Sequence, residues 1–297
     1  MTAATTDDQR VPFTLLGGYL GAGKTTIVNH VLAHSVGRRI VVLVNDVGAI
    51  DVDVALIAAH DGDTLSLSNG CVCCTLADDF TVTLERVRDL RPRPDHVLME
   101  LSGVAEPARV APWANTAGFR LDGTFVAADA DQIGELAARR YVGDTIREQL
   151  GAADIVLLTK TDLTADGGAG ATAVVRTMSG APVVRVEGGA VDVGLLLGHA
   201  SSAGSTSSDD EPSTGRAPRA GHRAAVVEVG TPTVAELEEL IAGLPADVVR
   251  AKGLVRCAGE NAPCEVQVVG RRRSVRRRPG LDLASAGDAI VAISVPR

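Results

Sequence analysis

The segment Gly18-Tyr-Leu-Gly-Ala-Gly23-Lys24-Thr25 constrains this chain more than any other. It fits G-x-x-x-x-G-K-[ST], lies directly after the apolar run Phe13 to Leu16, and opens a helical pattern from Lys24 to His34. A strand that turns through glycines into a helix presents a ring of backbone N–H groups, and the helix N-terminus adds partial positive charge. That is a cradle for phosphate. Gly18, Gly21 and Gly23 supply the backbone freedom, Lys24 is expected to reach the β- and γ-phosphates, Thr25 to hold Mg2+, and Thr26 to donate to the α-phosphate.

Further short apolar runs follow: Ile40 to Val44, Thr64 to Leu67, His96 to Met99, Thr124 to Ala127, Ile155 to Leu158 and Val183 to Val186. Helical patterns lie between them, among them Thr75 to Leu90 and Thr172 to Met178. Strands separated by helices, with no hairpin signals, predict βαβ units and a mostly parallel sheet with helices on both faces. From Gly198 to His222 the sequence turns to Ser, Gly, Pro, Asp and Glu, the composition of a flexible linker. Beyond it come a strand (Ala224 to Val229), a helix (Thr233 to Ala242) and further strands to Val295. The expected organisation is an α/β domain over 1–197, a linker over 198–222 and a small C-terminal α+β domain over 223–297.

The chain of 297 residues is 45% apolar and 22% charged, a globular composition. No apolar run approaches the roughly 20 residues of a membrane-spanning helix, so no membrane role is expected. The opening MTAATTDDQRV carries no apolar signal region, which predicts a cytoplasmic protein whose five cysteines are thiols or metal ligands. Six arginines cluster in Arg271–Arg278. They read first as an edge strand blunted by charge and second as a partner surface. Nucleic acid is not expected, because all seven aromatics lie at or before Tyr141 and none is near this run.

Only three of the 29 basic residues are Lys, and two of these, Lys24 and Lys160, sit inside signatures. Val97-Leu-Met-Glu100 is an apolar strand ending in a carboxylate that can bind Mg2+ through water or orient an attacking water. Gly103, three residues on, lets a backbone N–H approach the γ-phosphate. Thr159-Lys160-Thr161-Asp162 fits [NT]-K-x-D: Asp162 accepts from the N1 and N2 donors of guanine, and Lys160 lays its stem along the base. GTP is favoured over ATP. Catalytic candidates are therefore Lys24, Glu100 and Gly103. Arg109 is the only nearby candidate for an arginine acting in cis, and it is not assigned that role.

Ser68-Asn-Gly-Cys71-Val-Cys73-Cys74 places three thiols within four residues. Thiolates suit Zn2+ or Cu(I) and accept Co2+; a redox pair or structural thiols are the other readings. A fourth ligand has to come from Asp46, Asp51, water or another subunit. Cys257 and Cys264 read as small buried apolar groups.

Together GGYLGAGKTT, VNDVGAIDVD, SNGCVCC, ELSGVAEP, QLGAADIVLLTKTDL and VVRAKGLV resemble the CobW family of P-loop GTPases, relatives of UreG and HypB. The resemblance covers nearly the whole chain. It implies a GTPase domain, a C-terminal domain of sheet and helix, and nucleotide-linked delivery of Zn2+ (or Co2+) to a client metalloprotein, with a homodimer possible. Cys71, Cys73 and Cys74 become the metal ligands, Asp46 to Asp51 a switch segment, and Lys24, Thr25, Glu100 and Thr159 to Asp162 the nucleotide site. A non-enzymatic, nucleotide-dependent metal sensor or scaffold acting through the C-terminal domain is the alternative.

Overall fold

The structure is a computed structural model, which describes residues 10–35, 37–44, 64–66, 77–116, 118–198 and 223–295. Cys71, Cys73 and Cys74, the segment Asp46 to Asp51 and the stretch 199–222 lie outside these residues. The chain divides into two compact units, one running to Leu197 and the other from Gly198.

The first unit runs β1 (Val11–Gly18), α1 (Lys24–His34), β2 (Ile40–Val44), β3 (Thr64–Ser66), α2 (Ala77–Asp89), β4 (His96–Glu100), α3 (Pro107–Val110) and β5 (Phe119–Asp129). It continues through α4 (Ile133–Ala138), α5 (Arg140–Gly151), β6 (Ile155–Thr159), α6 (Ala169–Met178), β7 (Val183–Val186) and α7 (Val193–Leu197). The seven strands pair in parallel in the order β3-β2-β4-β1-β5-β6-β7. β1 is central, as its almost wholly buried residues require. One face packs Phe13, Leu15, Leu43 and Met99 with Phe80, Leu84 and Val87 of α2. Phe13 and Phe119, both 0% exposed, meet edge to face at 5.8 Å. Each such buried ring contributes about 1.5–3 kcal/mol, and Phe119→Ala would cost about 3–5 kcal/mol.

β5 is longer than the Thr124 to Ala127 expected from its apolar run. Its first half, Phe119-Arg-Leu-Asp-Gly, has no clean period, because Asp122 is the extra residue of a bulge: Phe13 pairs with Leu121 and Thr14 with Gly123. Helix α6 likewise starts before the predicted Thr172, after Gly168 at φ 82. Thr14 donates to the Leu196 carbonyl (3.0 Å), so its second contact, at 2.8 Å, is with a His96 ring nitrogen that carries the proton.

The second unit holds β8 (Arg223–Glu228), α8 (Val234–Ala242), β9 (Val248–Val255), β10 (Cys264–Val269), β11 (Arg272–Arg277) and β12 (Ala289–Ser294). Its sheet is antiparallel, in the order β11-β10-β9-β12-β8. Thr233 and Glu236 form a capping box that starts α8. Leu237 and Ile241 of that helix pack on Val255, Val266, Ile290 and both cysteines, so Cys257 and Cys264 are core residues as expected. The arginine run is the edge strand β11, also as expected. Its residues have specific work: Arg278 pairs with Glu265 at 2.6 Å, Arg277 with Glu260 at 2.6 Å, and Arg273 donates to the terminal carbonyls of Ile241 and Ala242 in α8.

Candidate active site

Because β4 lies beside β1, the loop after β1 and the carboxylate that ends β4 meet at one edge of the sheet; Leu16 pairs with Glu100. Ligand sites in open α/β sheets lie at such carboxyl ends, where the chain leaves in opposite directions. The cavity there has a volume of about 310 Å³. Leu20, Gly21, Gly23, Lys24, Thr25, Thr26, Val44, Glu100 to Gly103 and Lys160 line it.

The loop needs glycine at Gly18, whose φ is 133° and where an added Cβ would stand 2.3 Å from the Ala127 carbonyl oxygen. Gly23, with φ 85°, starts α1 without a side-chain cap, and no acidic residue occupies the first turn. The first N–H groups of α1 therefore have no intrahelical acceptor and suit an anion. Lys24 is 8% exposed, its ammonium donating to the carbonyls of Gly18 (2.9 Å) and Tyr19 (3.2 Å). Thr25 donates to a carboxylate oxygen of Glu100 at 2.8 Å, across 75 residues of chain. This hydroxyl and carboxylate are hard oxygen donors of the kind Mg2+ takes, beside a cradle for the phosphates it accompanies.

Gly103 sits against the phosphate loop, where an added Cβ would fall 2.7 Å from the Leu20 nitrogen and 2.5 Å from its Cδ2. Ser102 also lines the cavity; its hydroxyl is buried and has no hydrogen-bond partner among the described residues. A hydroxyl of that kind costs about 1–3 kcal/mol until a partner reaches it, which is tolerable where a polar ligand does so. The motif highlighted Glu100 and Gly103 and passed over this serine, because a lone Ser carries no spacing signal. Arg109 lies away from the cavity lining, 64% exposed and paired with Glu106 at 2.5 Å.

On the base side, Thr159 is 3% exposed and its hydroxyl faces the Ala22 carbonyl at 2.9 Å and the Ala128 carbonyl at 3.1 Å. It ties the end of β6 to the phosphate loop. Lys160 takes the left-handed conformation (φ 56°), and its ammonium pairs with Asp129 at 2.7 Å. Asp129, 5% exposed at the end of β5, was not singled out by the sequence; an acid closing the strand next to β6 is the signal that could have found it. Asp162 is exposed in the 3-10 turn Thr161–Leu163, outside the cavity lining. Thr26 is on the wall, with Gly189 packed so close that a Cβ there would be 2.6 Å from its methyl.

The structure thus gathers Gly21, Gly23, Lys24, Thr25, Thr26, Glu100, Gly103 and Lys160 around one cavity, with Gly18 and Thr159 directly behind the loop. The three clustered cysteines lie outside the described residues. Among the described residues no group of three or more His, Cys, Asp or Glu is placed to hold a metal ion.

Residues 12–184 match the family described as CobW/HypB/UreG, nucleotide-binding domain, and residues 226–295 the Cobalamin synthesis protein cobW C-terminal domain. The chain is similar to the zinc chaperone CobW of a Sinorhizobium species, 32% identical over 230 residues, which are 67% of this chain and 65% of that protein. It is also similar to the zinc chaperone YjiA of Escherichia coli, 31% identical over 196 residues, 63% of this chain and 61% of that one. The matches therefore span somewhat less than two thirds of these relatives' own lengths. Among solved structures, the Zn(II)-bound YjiA GTPase from E. coli aligns over 96% of this chain and 94% of its own, at 25% identity and a TM-score of 0.46. The chain belongs to the CobW/HypB/UreG family, with that family's nucleotide-binding domain followed by a CobW C-terminal domain.

Proposed function

We propose that this protein is a GTP-hydrolysing metallochaperone that binds a divalent metal, zinc first and cobalt second, at Cys71, Cys73 and Cys74 and hands it to a client metalloprotein. The observation that carries the hydrolase half is the cavity in which the glycine-rich loop, Lys24, Thr25 and Glu100 converge. The metal half is supported by the three-thiol motif and by the names of the relatives, both zinc chaperones.

In this reading the N–H groups of the loop and of the first turn of α1 bind the phosphates. Lys24 exchanges its two carbonyl partners for β- and γ-phosphate oxygens. Thr25 and, through water, Glu100 would hold Mg2+, which when bound would supply positive charge against the triphosphate. Glu100 also orients the attacking water; the water oxygen bonds to the γ-phosphorus as the bond from that phosphorus to the bridging β-phosphate oxygen breaks, and the water's proton passes to the phosphate released, giving GDP and phosphate. The Gly103 N–H and the Ser102 hydroxyl meet the γ-phosphate. Asp162 and Lys160 read guanine, and Thr159 holds their loop to the phosphate loop. Without an arginine aimed at the phosphates among the lining residues, intrinsic turnover is expected on the order of 10⁻⁴ to 10⁻² s⁻¹.

Three thiolates leave a tetrahedral zinc one ligand short, and Asp46, Asp51, water or a second copy of the chain, as a homodimer, supplies it. The thiolates need a reducing compartment, the cytoplasm. Triphosphate and metal favour the same conformation, and hydrolysis releases the metal. By linkage, GTP then tightens zinc by the factor zinc tightens GTP. The test is a Zn2+ and Co2+ titration of the reduced protein with Mg2+ and either a non-hydrolysable GTP analogue or GDP. The expected outcome is roughly tenfold or tighter binding with the analogue and no binding by Cys73→Ala. Equal affinity with both nucleotides would sink the metallochaperone reading.

A further inference from the structure

The turn after β4 is held from behind by one side chain. Gln149, in the last turn of α5, is 1% exposed, and its amide nitrogen donates to the carbonyls of Gly103 at 3.0 Å and Ala105 at 2.9 Å. A primary amide has two N–H donors, and both are spent on this one turn. The turn is closed internally by the Ala105 N–H donating to the Ser102 carbonyl at 3.0 Å. On its other side Gly103 touches Leu20 of the phosphate loop, with no room for a Cβ. The turn that carries Ser102 and Gly103 into the cavity is therefore clamped between that loop and a single buried amide. Buried carbonyls that lose their donors are costly, so the turn follows the amide.

We propose that Gln149 is a positioning residue: it holds the Gly103 N–H and the Ser102 hydroxyl where the γ-phosphate of a bound nucleoside triphosphate meets them. This rests on the hydrolase reading above and adds to it a residue that does not touch the nucleotide. GDP has no γ-phosphate to meet the Gly103 N–H or the Ser102 hydroxyl, so its binding depends on where Gln149 holds these groups far less than that of the triphosphate. Loss of Gln149 therefore separates the two nucleotides, which loss of a merely structural contact would not do.

The experiment uses the full chain. Gln149→Met keeps length and volume and removes both donors; Gln149→Glu keeps the shape and replaces the donors with acceptors. In each variant, affinity for a non-hydrolysable GTP analogue is expected to fall roughly tenfold or more while GDP affinity changes less than about twofold. Single-turnover GTP hydrolysis at saturating GTP falls by roughly tenfold or more as well, so the rate of the bound complex drops in addition to the weaker binding of the triphosphate. Equal losses for GDP and the analogue, or hydrolysis within about twofold of the unsubstituted chain, overturn the proposal. A third readout needs no variant: the Gln149 side-chain amide protons, followed by NMR in the unsubstituted protein, shift and gain exchange protection when the GTP analogue replaces GDP. Identical signals in the two complexes overturn it as well. If the unsubstituted chain binds no GTP analogue, the hydrolase reading falls and takes this proposal with it. If it binds and hydrolyses GTP while the variants behave as it does, only the proposal falls.

Discussion

Two titratable groups make tests at the scale of single residues. Burial holds the His30 ring below the ordinary histidine value, with the stacked ring of His34, 4.1 Å away, adding repulsion and a hydrogen bond to the Val191 backbone opposing both. The folded chain thus prefers neutral His30 more than the unfolded chain does. The unfolded state takes up the extra proton on acidification, so this stabilisation is complete above about pH 6.5 and lost as pH falls below it. The urea midpoint is expected to drop between pH 7.5 and 5.5, and to drop less in His30→Gln; an unchanged drop would refute the assignment. In the C-terminal core the Cys257 thiol is pushed up to about 12, by burial first and then by the Cys264 thiol beside it. At pH 8 that thiol therefore stays protonated. With Cys71, Cys73 and Cys74 replaced by Ser, the native chain should release no colour from a thiol reagent at pH 8, and should titrate both remaining thiols once unfolded. Rapid native reaction would contradict the burial of this pair.

At the scale of elements, the arginines of β11 and its end divide by what each touches. Arg278 and Glu265 form a buried ion pair, their side chains 6% and 10% exposed. Removing one partner leaves a buried charge, and Arg278→Met is expected to cost about 3–5 kcal/mol in chemical denaturation. Arg273 supplies N–H donors and a positive charge at the C-terminus of α8, so Arg273→Ala should cost about 1 kcal/mol. Exposed Arg271 should change stability by less than about 0.5 kcal/mol when replaced by Ala. Equal effects at all three positions would mean that the run acts only as bulk charge. The sequence showed six arginines and predicted an edge strand. It did not show this division of labour, because it depends on which strand lies beside β11 and which helix packs on it. The turn after β4 gives a second test: Gly103→Ala forces a methyl against the Leu20 backbone, so nucleotide affinity should fall by roughly tenfold or more in calorimetry while the fold persists.

For the whole molecule, a ligand that binds only the folded state raises stability by mass action. GTP with Mg2+ at about 100 times its dissociation constant should add about 2.7 kcal/mol to the unit that holds it, seen as a rise in Tm. ATP at the same concentration should give a clearly smaller rise, and Lys24→Ala should abolish both. A larger shift with ATP would redirect the base reading of Thr159 to Asp162. Among the described residues no helix is long and apolar enough to cross a membrane.

What the sequence determined by itself was local. The phosphate loop, the strand ending at Glu100, the Thr159 to Asp162 turn and the three-thiol motif, whose structure lies outside the described residues, are each written within a few consecutive residues, because strand period, glycine conformation and ligand type are short-range properties. Most strands followed for the same reason, and the first half of β5 escaped because a bulge at Asp122 breaks the period. Tertiary structure decided the pairings between distant segments. Placing β4 beside β1 brings Thr25 to Glu100; placing β6 beside β5 turns Thr159 onto Ala22, 137 residues away, and Lys160 onto Asp129, 31 away; α5 delivers Gln149 to Gly103 across 46 residues. No periodicity encodes such contacts, because they are set by strand order and by which face each helix buries, and these are properties of the packed sheet rather than of any stretch of chain.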